Sequence, residues 1–127
     1  MQKRAFLILS VWLLFLQACL SYEGDYAATP VAVIAPSVST SMKAREIMSR
    51  MHLISVPPDE TDMVLVVVRS LLVYPLFPSY GSFQELERAA NMQLNISGPN
   101  YHVYLFRMNT DGSYSQFDHT SFPANEY

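Results

Sequence analysis

Cysteine, glycine and basic side chains are all scarce in this 127-residue chain: it has one Cys, four Gly and eight Lys or Arg. A single cysteine excludes an intramolecular disulfide, so a domain of this size must hold by its core rather than by bridges. The few glycines form no phosphate-cradling loop, and neither Gly-x-Ser-x-Gly nor Ser-x-x-Lys is present. No cofactor motif is present either. His52, His102 and His119 do not fall at metal-ligand spacing. Lys3 and Arg4 lie near the start. The 109 residues from Cys19 onward have six Lys or Arg against eleven Asp or Glu, a formal charge of −5. Without a basic patch, the composition argues against a nucleic-acid partner.

What is present begins with the first 18 residues. Lys3 and Arg4 precede a run of 12 apolar or small residues, Ala5 to Leu16 (AFLILSVWLLFL). About 20 apolar residues span a bilayer, so the run is short for a permanent helix and suits an export signal. An ordinary secretory signal cut near Ala18 and an uncleaved anchor are the competing readings. Cys19 decides between them. The segment Leu16-Gln17-Ala18-Cys19 resembles the bacterial lipobox, which has an aliphatic residue at −3, a small one at −1 and then Cys. Gln17 departs mildly from the usual Ser, Thr or Ala. The resemblance implies a diacylglyceryl thioether on Cys19, cleavage before it, and acylation of the new amine by a palmitate-type chain. Two or three acyl chains anchor durably where one gives marginal binding. Leu20 stands where an Asp resembles the inner-membrane retention signal. In a Gram-negative host its presence favours the periplasmic face of the outer membrane.

Residues 19–30 read as a short flexible tether, 31–122 as one compact domain and 123–127 as a polar tail. Val31–Ala35 is a short β-branched strand between two prolines. The hydroxyl-rich segment 36–41 offers several N-caps to a helix over about Ser41–Met51. Ala44, Ile47, Met48 and Met51 form its apolar face and are expected to pack on a sheet. His52–Val56 is an optional strand, and Pro57–Asp62 a solvated acidic turn. Met63–Val68 (MVLVVV) is apolar on both faces and therefore central. Ser70–Tyr74 is expected to continue that strand past a bulge, and Arg69 with Pro75 precludes a second transmembrane helix. A loop at Leu76–Gly81 is followed by a capping box at Ser82 and Glu85, which opens a helix running to Met92. Phe83, Leu86, Ala89 and Ala90 face inward. Gln93–Ile96 is a further optional strand, and Asn95-Ile96-Ser97 matches a glycosylation acceptor that is coincidental in a bacterium. Tyr101–Met108 and Ser113–Phe122 flank Asn109-Thr110-Asp111-Gly112 and form a hairpin, with Gly112 supplying the positive φ. The fold expected is α+β: a small single domain with a mixed sheet of about four to five strands, two helices and a C-terminal hairpin. A helix, an acid (Asp62) and an aliphatic strand (Met63–Val68) resemble, over about 30 residues, small envelope lipoproteins with an α/β domain. That likeness implies no functional residue.

His102 and His119 fall on opposite arms of the hairpin and are expected to face each other. With Asp118 they could form a weak metal pair or part of an enzyme site, although an exposed or capped cross-strand pair is the plainer reading. The aromatics crowd the C-terminal half. Tyr101, Tyr104, Phe106, Tyr114 and Phe117 are the candidates for a binding face, since tyrosine joins an apolar body to a polar tip. No catalytic or metal residue is assigned. The expected function is a membrane-anchored, non-enzymatic binding or scaffold domain of the cell envelope. It would be held by its lipid and could contact an envelope protein. An accessory lipoprotein of a secretion or conjugation system, or an enzyme of unrecognised type, are the alternatives.

Overall fold

Five consecutive side chains, Val64 to Val68, are almost wholly buried, and the strand that carries them organises the molecule. The computed structural model describes residues 28–93 and 98–124. In chain order these form β1 (Thr29–Ile34), α1 (Val38–Met51), β2 (Leu53–Ser55), a 3-10 turn (Pro58–Glu60), β3 (Met63–Ser70), β4 (Ser79–Tyr80), α2 (Phe83–Met92), β5 (Asn100–Met108) and β6 (Tyr114–Pro123). The six strands make one mixed sheet in the order β2-β1-β3-β5-β6-β4. β1 is parallel to β2 and β3, and every other pair is antiparallel. The result is a small α+β domain of two helices and a six-stranded sheet.

β3 is central, between β1 and β5, as its two apolar faces require. Alternate side chains feed two cores. Val31, Leu65, Val67 and Val103 pack with Ala44 of α1 on one face. Val64, Val66, Tyr104 and Phe106 pack with Leu86 and Ala90 of α2 on the other. Phe83 and Ala89 border the second core, matching the face expected for that helix.

α1 starts three residues before the expected Ser41. Ser37 Oγ accepts from the Thr40 amide (3.2 Å) and Thr40 Oγ1 accepts from the Ser37 amide (2.9 Å), a reciprocal cap that fixes the first turn there. In α2, Ser82 Oγ accepts from the Glu85 amide, but the Glu85 carboxylate accepts from Gly81 rather than from Ser82. The expected capping box is therefore half formed.

Two further expectations are corrected. β3 stops at Ser70 rather than continuing to Tyr74: Ser70 Oγ accepts from the Leu72 amide at 3.0 Å and bends the chain away. The bulge lies in β6 instead, where the register shifts between Leu105/Asp118 and Phe106/Gln116 and Phe117 is the additional residue. The sheet has six strands, close to the four to five expected: the optional strand at 52–56 forms as Leu53–Ser55, and Ser79–Tyr80 adds a short edge. Gln93 caps α2, and the remainder of the optional strand at 94–96, like the glycosylation-type triplet, lies outside the described residues.

The sheet has two chemically different ends. β1 and β3 begin at the end where β5 finishes, and this end carries Asp59, Glu60, Asp62 and the Asp111 turn. β3 finishes, and β5 begins, at the opposite end.

Candidate functional site

The segment leaving β3 at that opposite end is apolar, and its side chains face solvent. Leu71, Leu72, Val73, Tyr74 and Phe77 are 66, 51, 69, 76 and 71% exposed. Contiguous exposed apolar surface marks contact sites far more than scattered hydrophobic residues do.

The backbone of this ridge is firmly held. The Leu72 amide donates to Ser70 Oγ (3.0 Å), and Gln93 Nε2 donates to the Pro75 carbonyl (3.3 Å). The Leu76 amide donates to Tyr104 Oη (3.4 Å), and the Phe77 amide donates to Tyr80 Oη (2.8 Å). Leu76 is buried in the core on the α2 side, and Phe77 stacks on Tyr80 at 6.0 Å. The loop is thus tied down by two tyrosine hydroxyls, a serine and a glutamine while its hydrophobic side chains stand outward. A surface fixed in this way loses little conformational entropy on binding.

The paired histidines lie under the ridge. His102 Nδ1 and His119 Nε2 are 3.2 Å apart, so the pair shares one hydrogen, as expected of opposite hairpin arms. His119 stacks flat on Tyr104, with centroids 4.2 Å apart and planes 1° from parallel, and Tyr74 meets it from the ridge at 6.2 Å. Burial pushes the His102 pKa down, His119 lowers it further, and the Leu72 backbone partly offsets this. Burial also lowers that of His119 against the opposing pull of Asp118. His102 Nε2 is buried and has no partner in hydrogen-bonding geometry among the described residues. Burial holds the Tyr104 phenol protonated, pushing its pKa up to about 12.

Asp118 does not join this pair. It stands opposite Leu105 in the ladder, whereas His119 stands opposite Tyr104, so the two project to different faces. Its Oδ1 accepts from the His119 amide at 2.9 Å. Among the described residues no group of three or more His, Cys, Asp or Glu is placed to hold a metal ion. On the α1 face a shallow concavity of about 220 Å³ lies between Ile47, Arg50 and Met51 and Asp118, Thr120 and Phe122. It is smaller than most small-molecule sites.

The sequence-predicted aromatics are dispersed. Tyr104, Phe106 and Tyr114 are buried on the α2 face, and Tyr101 is buried on the α1 face. Phe117 is half-buried at the bulge, with the Arg107 guanidinium 4.9 Å from its ring. Tyr104 alone among them supports the ridge directly. Cys19 and the rest of residues 1–27 lie outside the described residues. Leu71, Leu72 and Val73 are the residues that sequence reasoning missed. An apolar run after a strand reads as more strand, and only the Ser70 bend and Pro75 hinted otherwise.

No family model matches the chain, and neither the curated proteins nor the solved structures include a significant match. Among the described residues no helix is long and apolar enough to cross a membrane.

Proposed function

We propose that the protein is a bacterial envelope lipoprotein, anchored by lipid on Cys19, whose domain is a non-enzymatic binding or scaffold module. Residues 1–18 are its export signal and residues 19–28 the tether, two residues shorter than the expected 19–30 because Thr29 and Pro30 already belong to β1. With Leu20 after the cysteine, the periplasmic face of the outer membrane is its place in a Gram-negative host. The observation that carries the binding role is the exposed ridge Leu71–Tyr74 with Phe77, held by hydrogen bonds to its backbone. The titratable groups beneath it support that role. His102 and His119 engage each other, and Tyr104 backs them as part of the ridge's foundation.

A photo-crosslinking side chain at Val73 tests this reading in cells. It is expected to give specific adducts with an envelope component, lipid or protein, that the same probe at Glu60 does not give. Equal adducts from both positions, or none from Val73, would overturn the binding role of the ridge.

A further inference from the structure

We infer that the ridge docks on the lipid bilayer itself, as a second membrane contact beside the acyl chains. This deepens the proposed function and rests on lipidation of Cys19.

The length of chain before the domain allows it. Cys19 to Ala28 is ten residues, which extended reach about 33–36 Å. β3, eight residues, is about 27 Å long. The domain starts at the acidic end of the sheet, with Thr29 beside His52 and Pro30 beside Thr61. The tether is therefore long enough to pass the whole sheet and let the opposite end meet the same bilayer.

Charge selects that orientation. Asp59, Glu60, Asp62 and Asp111 cluster at the end where the tether joins, and an anionic lipid surface repels them. From Met63 to Gln84 the chain has no acid, and its one charge is Arg69. Arg69, next to last in β3, lies beside the ridge, with Nε donating to the Gly98 carbonyl at 3.1 Å. Val38 and Met42 are also exposed, on the first turns of α1 just beyond the C-terminal end of β1. β1 runs parallel to β3, so they lie toward this same end.

Part of the ridge backbone is already satisfied, as lipid contact favours. Groups that enter hydrocarbon must already be satisfied. The amides of Leu72, Leu76 and Phe77 have partners, as do the carbonyls of Pro75 and Pro78, and the two prolines have no amide hydrogen. Aliphatic Leu71, Leu72 and Val73 beside Tyr74 match the division between acyl region and headgroup level, where aromatic rings settle; Phe77 lies further back toward β4, beside Glu85 and Ser113. A protein partner would be expected to meet charge with charge, and the chain from Ser70 to Tyr74 carries none, with Arg69 just before it.

The mature chain provides a clean probe. Trp12 is the only tryptophan and lies in the leader, so Val73→Trp introduces the sole indole of the processed protein. The lipidated variant would be reconstituted into vesicles of phosphatidylethanolamine and phosphatidylglycerol, with Glu60→Trp as the control. Acyl-chain-brominated lipid is expected to quench Val73→Trp roughly twofold or more, with a blue-shifted emission, and to leave Glu60→Trp unquenched. If both variants co-sediment with the vesicles yet Val73→Trp stays unquenched and water-like, bilayer docking is overturned while the anchor stands. Crosslinks from position 73 to protein alone would overturn it in favour of a protein partner. If neither variant incorporates labelled fatty acid, the anchor reading fails, and the inference falls with it.

Discussion

His102 and His119 meet nitrogen to nitrogen at 3.2 Å across β5 and β6, in a place where burial disfavours the charge of either ring. Both pKa values are held below the ordinary 6.5. As pH falls through 6.5, the unfolded chain therefore takes up protons that the folded one refuses. The stability contributed by the neutral pair is complete above that pH and lost on acidification below it. The melting temperature is expected to fall as pH is lowered from about 7.5 to about 5, and a His102→Asn/His119→Gln double variant should show a clearly flatter profile. A wild-type profile as flat as the variant's would contradict the burial of the pair.

Tyr104 links the core to the ridge through its hydroxyl, which accepts from the buried Leu76 amide. Tyr104→Phe keeps the ring and strands that amide. The expected cost is about 1–3 kcal/mol, with faster hydrogen exchange at Leu76. Unchanged exchange there would remove the hydroxyl from the ridge's support.

Gly98 is the second fixed point at this end of the sheet. A Cβ built there would fall 2.0 Å from the Ser70 carbonyl carbon and 2.5 Å from the Leu71 nitrogen, both of them backbone. Gly98→Ala is therefore expected to destabilise by about 1–3 kcal/mol or more in denaturant titration and to shift the ridge. A neutral effect would mean that the two segments do not touch.

Core and ridge should separate cleanly in stability. Leu86 is fully buried and ties α2 to the sheet, so Leu86→Ala should cost about 2–5 kcal/mol. Leu72→Ser and Val73→Ser remove exposed side chains and should stay within about 0.5 kcal/mol of the parent while weakening contact with the envelope component. A large loss of stability from Val73→Ser would make the ridge part of the core.

Much of the framework can be read from local pattern. Met63–Val68 announces a central strand because six aliphatic side chains in succession cannot all face one side of a sheet. Phe83, Leu86, Ala89 and Ala90 announce the inner face of α2 by their helical spacing. The hairpin is readable from Asp111-Gly112, and Gly112 takes a positive φ of 91°. The histidine pairing follows from that hairpin. Ser79–Tyr80 is not readable, since two residues have no period and pair with β6 only because the chain returns past it. The ridge is not readable for a different reason. Burial depends on what covers a residue, and Leu71–Tyr74 have the composition of core but stand exposed among the described residues. The same limit applies to the aromatics: hydropathy places Tyr104 and Tyr74 alike, whereas the fold buries the first and exposes the second.

The proposed anchor is the lipid on Cys19, and labelling with a radioactive or clickable palmitate in the bacterial host tests it most directly. The parent protein should incorporate the label, lose residues 1–18 and fractionate with membranes. Cys19→Ser should incorporate none and remain an uncut precursor or become soluble. A Cys19→Ser protein that is processed normally and still membrane-bound would contradict the central claim.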